Sequence, residues 1–446
     1  MADLKLLARR IFQETISAIH IPEAMQRKLR REETVLCLND AELDLRAFTS
    51  VRVIAIGKAA HAMVEGLATL LGQEYPLKGI VAAPTPPLLA VEGMKYFVGG
   101  HPTPDQESWK AAETILALLP ECDEKTVVFF LLSGGGSALV ELPLDDRQTL
   151  EDVRQLHRTL VTCGAPIEAI NAVRKHVSAV KGGRLAVAAG SATKITLAVS
   201  DVPVGKESAL ASGPTLPDPT TVVDVKRIID EFWLREKLPA RLLQWMDEEQ
   251  MPETPKEGDA AFAKAHFSLL LGLDDLFHPA HHATEAKGFL ACCDNTTDDW
   301  PVEKAAEYLL AQLEEARRAN PGQNVALIAD GEVSSPVRRK GIGGRNAAFV
   351  LACVKKIAGK KIAVLSAGTD GVDGNSPAAG AVADGETFER GRAIGLNARY
   401  MFRESDSYSY FARLGDTIVT GPTGNNLRDL RILLTESDEK KQKKGT

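Results

Sequence analysis

The chain has 446 residues, 44% hydrophobic and 25% charged, the balance of a globular protein long enough for two or three cores. A formal charge of −7 removes the electrostatic reason to expect nucleic acid or an anionic membrane as partner. No stretch is apolar for the length that a membrane-spanning helix needs. Six cysteines scattered without a CxxC point to reduced thiols in a cytoplasmic setting rather than to a disulfide framework.

The N-terminal MADLKLLARRIFQETISAI spaces acids and bases along an amphipathic helix, unlike a secretory signal. VRVIAIGKAA (51–60) predicts a strand that delivers Gly57 and Lys58 to the carboxyl edge of a sheet, where α/β proteins bind ligands. An ammonium there neutralises a phosphate or carboxylate, or else simply opens a surface helix. TVVFFLLSGGGSA (126–138) repeats the pattern: the apolar run to Leu132 predicts a strand covered on both faces. After it, Ser133, Gly134, Gly135, Gly136 and Ser137 offer bare amides and hydroxyls suited to an anion at a helix start. In INAVRKHVSAVKGGRLA (170–186), helical spacing puts Asn171, Lys175 and Ser178 on one polar face. Four basic residues from 174 to 184, with His176, form either an anion-binding wall or a solvated face. KITLAVSDVPVG (194–205) predicts a further strand, with Asp201 at its exit.

Between about 235 and 265 the sequence turns rich in Pro and acid and loses periodicity, which predicts domains at 1–245 and 246–446 with a lid or linker between them. The final segment is free to return to the first domain. HPAHH (278–282), followed by Cys292 and Cys293, is a weak metal candidate, because adjacent ligands chelate poorly; a loop or helix edge is the expectation. PVEKAAEYLLAQLEEARRA (301–319) predicts an amphipathic helix. NVALIADGEV (324–333), KKIAVLSAGTDGVDG (360–374) and DTIVTGPTG (416–424) are three more strand-and-loop units. Asp370 and Asp373 can hold Mg²⁺ or orient a hydroxyl, although Asp-Gly is also plain turn chemistry. In GIGGRNAAFVLACV (341–354), Arg345 opens a helix against the helix dipole; an incoming phosphate or an ion pair with Glu332 accounts for it. TGPTGNNLRDL (420–430) reads as a Gly and hydroxyl loop leading into a helix, and the tail ESDEKKQKKGT as disordered.

Alternating strands and helices predict an α/β fold: two domains with mostly parallel sheets flanked by helices. Neither GxxxxGK[ST] nor GxGxxG is present, so a nucleotide must be held in another way. Loops that combine amides, a Lys, an Arg and carboxylates suit phosphoryl transfer, which is chiefly positioning and charge neutralisation with Mg²⁺.

Taken together, LLSGGGSAL, INAVRKHVSAVKGGRLA, SDVPVG, ASGPTLPDPTT, GGRNAAFVLA, SAGTDGVDGNSPAAGA and TGPTGNNLRDLRILL resemble the class II glycerate kinases, from about Leu4 to Leu434. The resemblance implies a Rossmann-like first domain, a second domain of the MOFRL type and an active site in the cleft between them. It also implies phosphorylation of D-glycerate with ATP and Mg²⁺, mostly to 2-phosphoglycerate. The family's catalytic lysine falls on Lys58 and its catalytic arginine on Arg345. The loop 133–137 would take either the substrate carboxylate or nucleotide phosphates; Asp201, Lys175 and Asp370 would line the cleft, with Asp201 or Asp370 orienting the glycerate hydroxyl. One position departs from the family's Ser-Gly-Gly-Glu pattern: this chain reads Ala329-Asp330-Gly331-Glu332. Two other readings are a hydroxypyruvate reductase, which the missing GxGxxG opposes, and a non-catalytic sensor of a small acid or sugar phosphate.

Overall fold

A computed structural model describes residues 3–38, 41–200, 202, 205–425 and 427–437. Asp201 and most of the charged tail lie outside the described residues. Among the described residues no helix is long and apolar enough to cross a membrane.

The chain forms two compact units, Ile21–Leu271 and one that joins Met1–His20 to Gly272–Thr446. The first unit opens with a small antiparallel sheet of β1 (Arg30–Glu32), β2 (Val35–Cys37) and β3 (Glu42–Asp44). Its main sheet contains β4 (Ser50–Ile56), β5 (Leu77–Ala83), β6 (Met94–Val98), β7 (Thr126–Leu132), β8 (Thr193–Val199) and β9 (Ala265–Leu271) in the order β6-β5-β4-β7-β8-β9. Every pairing in it is parallel. The β-branched and aromatic runs of β4 and β7 are almost wholly buried, as a strand covered on both faces requires. Ile54, Ile56, Val128, Phe130 and Leu132 share a core with Ala111, Ala112 and Ile115 of helix Gln106–Leu118.

The boundary between units falls later than composition suggests. β9 pairs with β8 and completes the first sheet, so the chain cannot leave that unit before Leu271. The Pro- and acid-rich stretch is structured, not a linker: Ala240–Asp247 is a helix that buries Leu242, Trp245 and Met246 among the side chains of helices 150–162, 167–177 and 222–231. It is the first segment, not the last, that crosses to the other unit. Helix Leu4–Ala18 buries Leu4, Ala8, Ile11 and Phe12 and packs there on helix Asp274–Glu285 and the sheet.

The second unit holds β10 (Phe289–Cys293), β11 (Asn324–Asp330), β12 (Ile362–Gly368), β13 (Gly380–Asp384), β14 (Thr417–Ile418) and β15 (Asp429–Thr435) in the order β10-β11-β15-β12-β13-β14. Only β10 and β11 pair in parallel. The others are antiparallel: β15 runs back between β11 and β12, and β13 and β14 alternate in direction beyond β12. The parallel expectation therefore describes the first sheet and not the second. TGPTGNNLRDL leads into this strand rather than into a helix, and RILLT is fully buried as a central strand. The expected helix at 301–319 is present as Val302–Ala319.

Candidate active site

Counted in the order the chain makes them, the strands of the first main sheet stand third, second, first, fourth, fifth, sixth. In sheets of this order ligands bind outside the carboxyl ends, where the winding reverses. Here that point is the junction of β4 and β7, and the residues leaving those strands are Gly57-Lys58 and Ser133–Ser137. The two turns are stitched together: the Lys58 N–H donates to Gly134 O at 2.9 Å, the Ser133 N–H to Ile56 O at 2.9 Å and the Ala59 N–H to Ser133 Oγ at 3.0 Å. Gly57, at φ +129°, has no alternative, since a Cβ would lie 2.1 Å from Ser133 Oγ. Gly135 is left-handed at φ +85° and precedes the single helical turn Gly136–Leu139. Lys58, Gly134, Gly135 and Ser137 are partly exposed, while Ser133 and Gly136 are buried. The serines thus split into a structural member, Ser133, and one at the surface of the turn.

Ser137 leads to Ser212, which the sequence did not single out, and through it to Asn171 of the expected polar face. Its Oγ lies 2.8 Å from Ser212 Oγ, and Ser212 Oγ donates to Asn171 Oδ1 at 3.0 Å. Ala211, Ser212 and Gly213 all have φ between +49° and +59°. Two non-glycine residues in succession there cost on the order of 1–3 kcal/mol each and persist only where the surroundings impose them. A Cβ on Gly136 would sit 2.7 Å from that of Ala211, so the bare turn and the left-handed run need each other.

The basic segment 174–184 is not an open wall. Helix Ile167–Val177 is buried from Ile170 onward, and Ser178 already has extended φ/ψ, so the polar stripe ends a residue early. The Lys175 ammonium lies 3.2 Å from Asp218 Oδ1 and donates to Ser208 Oγ at 3.3 Å. Lys181 is fully buried against Glu141, which also meets His157 Nε2 at 2.9 Å and accepts from Ser178 Oγ at 2.6 Å. These two cations are bound by carboxylates 43 and 40 residues away in the chain, which helical spacing cannot reveal.

In the second unit the carboxyl ends of β11 and β12 and the start of β15 converge, since Asp330 faces Leu430 and Gly368 faces Asp429. Arg345 opens helix Arg345–Val354 beside them. Its Nε donates to Asp429 Oδ2 and its Nη2 lies 2.6 Å from Glu332 Oε1, so the ion-pair reading with Glu332 is present and Asp429 joins it. Burial by itself would lower the guanidinium; Asp429 and Glu332 outweigh it and hold Arg345 above its ordinary value. The helix N-terminus is occupied too: Asp373 accepts from the Asn346 and Ala347 N–H groups, both at 2.9 Å. Burial pushes Asp373 up to about 6 against those two bonds. Asp370 is partly exposed, and its Oδ1 accepts from the Val372 N–H at 3.0 Å, the Asp-Gly turn chemistry expected as the plainer alternative. The histidines of HPAHH sit on helix Asp274–Glu285, where His281 and His282 come near Glu285 at its exposed end, while Cys292 and Cys293 lie on β10.

Asp330, the departure from the family pattern, is 1% exposed with neither carboxylate oxygen hydrogen-bonded. Burial raises it to about 6; Arg428 and Arg431 oppose that shift and Asp298 adds to it. Arg431, itself fully buried, donates to the carbonyls of Asp330 and Gly331 and so fixes the exit of β11. A carboxyl group with a raised value in the folded state binds more protons there than when unfolded, so stability falls as pH rises from about 4 to about 6. Asp330→Asn is therefore expected to raise stability above pH 6 by about 3 kcal/mol at most, read as a higher melting temperature, and to flatten that decline. Calorimetry from pH 4 to 8 checks it.

A family model described as a domain of unknown function (DUF4147) matches residues 7–247, and the MOFRL family model matches 325–429. D-glycerate 2-kinase of Thermotoga maritima is 33% identical over 96% of this chain and 98% of its own. The chain belongs to the MOFRL family of glycerate kinases. The crystal structure of glycerate kinase from Thermotoga maritima superimposes with a TM-score of 0.83 at 31% identity, covering 97% of this chain and 99% of the other. A relative from Agrobacterium vitis, provisionally named a hydroxypyruvate reductase, is 34% identical over 86% of both chains. Within this glycerate kinase family fold, Lys58 and the 133–137 turn are side by side in one unit, and Arg345 and Asp370 belong to the other.

Proposed function

We propose that the protein transfers the γ-phosphoryl group of ATP to a hydroxyl of D-glycerate, giving 2-phosphoglycerate. The observation that carries this reading is the junction of β4 and β7, where Lys58 and a turn of bare amides are joined by backbone hydrogen bonds at the reversal point of a sheet without GxGxxG. An ammonium beside a turn of glycine amides suits a phosphate or a carboxylate far better than a nicotinamide dinucleotide. Similarity to glycerate 2-kinases of Thermotoga maritima and Pyrococcus horikoshii over nearly the whole chain supports the same reaction class.

In this reading Lys58 and the 133–137 amides neutralise and orient one anionic group, and Arg345 spreads charge from the transferred phosphoryl. Arg345 suits that task because Asp429 and Glu332 fix its guanidinium before substrate arrives. Lys175, held by Asp218, positions the segment under the left-handed run rather than meeting substrate. Mg²⁺ takes one or two carboxylates together with nucleotide phosphates, and Asp370, partly exposed after β12, is an oxygen donor of that class. Bound there, the ion would neutralise charge between phosphates. Free thiols at all six cysteines support a reducing, cytoplasmic setting.

The deciding experiment is ³¹P NMR of the product formed from D-glycerate, ATP and Mg²⁺. A 2-phosphoglycerate resonance is expected. A 3-phosphoglycerate signal would reverse the regiochemistry, and NADH oxidation with hydroxypyruvate in place of any phosphorylated product would overturn the reading.

A further inference from the structure

We propose that His101 receives the proton of the acceptor hydroxyl during phosphoryl transfer, an inference that rests on the glycerate kinase reading above. His101 follows β6 through Gly99 and Gly100, on the same carboxyl edge of the first sheet as Lys58. Its imidazole stands over the bare turn. From the point where a Gly135 Cβ would be, His101 Cδ2 is 3.1 Å away, His101 Nε2 3.3 Å and Lys58 Cγ 3.6 Å. The ring and the lysine stem therefore flank one side of Gly135, and a side chain at 135 would press on both. This is a second reason for glycine there, beyond its left-handed φ.

The segment carrying His101 is held in place. The Gly99 N–H donates to Ala83 O at 3.1 Å and the Gly100 N–H to Ser108 Oγ at 3.0 Å. Asp105 caps helix Gln106–Leu118 through the Glu107 and Ser108 N–H groups, which fixes the chain on the far side of His101. Among the described residues neither ring nitrogen has a hydrogen-bond partner, although the ring lies on an exposed surface.

Partial burial of the ring, and after it the charge of Lys58, lower the imidazole below its ordinary value. Among the described residues Lys58 is the charged side chain acting on it. The ring is then neutral near pH 7, an acceptor beside a cation, which is the state a general base needs. Asp370 fits the task less well, since its Oδ1 already accepts from Val372.

The step balances without a further reactant. The hydroxyl oxygen bonds to the γ-phosphorus of the nucleoside triphosphate while its proton moves to an imidazole nitrogen of His101. The bond from that phosphorus to the β–γ bridging oxygen breaks, and its electron pair leaves on the nucleoside diphosphate. The imidazolium then returns the proton to solvent.

The test uses the full chain with D-glycerate, ATP and Mg²⁺, comparing wild type with His101→Ala and His101→Gln. Both variants are expected to lose roughly 10²–10⁴-fold in kcat, with KM for ATP changed by less than about threefold. The acidic limb of the kcat–pH profile should disappear, and added imidazole should restore part of the activity of His101→Ala. Melting temperatures should stay at the wild-type value, because the ring is exposed and makes no internal bond. An active wild type whose His101→Ala variant keeps kcat within about threefold, or loses it with the acidic limb intact and no imidazole rescue, overturns the role of His101 and leaves the kinase reading standing. A wild type that forms no ADP in response to D-glycerate removes the kinase reading and this inference with it.

Discussion

Replacing Arg345 with alanine is expected to lower kcat by roughly 10³-fold or more, the lower range for an arginine that stabilises a transferring phosphoryl group. The guanidinium is held by Asp429 through Nε and by Glu332 through Nη2, which leaves its remaining donors in a fixed direction. Arg345→Lys keeps the charge but cannot hold both carboxylates in one plane, so its kcat should fall between those of the wild type and the alanine variant. A structural cost accompanies the catalytic one. Asp429, whose side chain is 3% exposed, would lose its cation next to Asp373, a carboxyl that burial already raises to about 6. Steady-state kinetics of ADP release, read with the melting temperature of each variant, separates the two effects. Wild-type turnover in a folded Arg345→Ala protein would remove Arg345 from the reaction.

The second large effect is expected at Glu141, a buried carboxylate. Burial alone would push its carboxyl up; the Lys181 ammonium and then His157 reverse this and hold it at about 2. Lys181 is itself pulled down by burial more than Glu141 lifts it, so the pair compensates desolvation rather than adding much net stability. Breaking it is another matter. Glu141→Ala strands a fully buried ammonium and leaves Ser178 and His157 without their acceptor. Removing one member of such a pair costs about 3–5 kcal/mol. For a unit of this size that is roughly 6–20 °C in melting temperature. The sign with pH follows: a carboxyl depressed from 4.5 to about 2 contributes stability above about pH 4.5 and loses it as pH falls toward 2. Acid unfolding followed by circular dichroism should show that limb in the wild type and lack it in Glu141→Ala. An equal midpoint for both proteins would mean that Glu141 is not the anchor.

What the sequence disclosed was local. Lys58 and Ser133–Ser137 were legible because a strand run, a glycine and a polar exit lie next to one another in the chain, and the carboxyl-edge rule needs nothing further. Arg345 was legible as a cation at the wrong end of a helix. Its second partner, Asp429, was not, since it lies 84 residues on in a segment whose sequence reads as leading into a helix. Lys175 and Lys181 looked like a basic face because helical spacing gives direction and not depth; their acids, Asp218 and Glu141, come from other segments. His101 sits alone in a Gly- and Pro-rich loop, and only the fold brings it onto Gly135. The mixed second sheet was hidden for a similar reason, since a strand-loop-helix alternation says nothing about a last strand that turns back into the middle.

That last strand has a consequence for how the protein is made. Translation releases β11 and β12 long before β15, yet those two are not neighbours; each waits beside the gap that residues 429–435 will fill. The helix at Leu4–Ala18, synthesised first, packs on helix Asp274–Glu285 and also on strands made at the end. The segment 21–271 can mature on the ribosome as it emerges, whereas the remainder is committed only once nearly the whole message has been read. Ribosome stalling between about residue 380 and residue 428 should therefore leave a nascent chain with one protease-resistant unit and two open sheet edges, a natural client for chaperones.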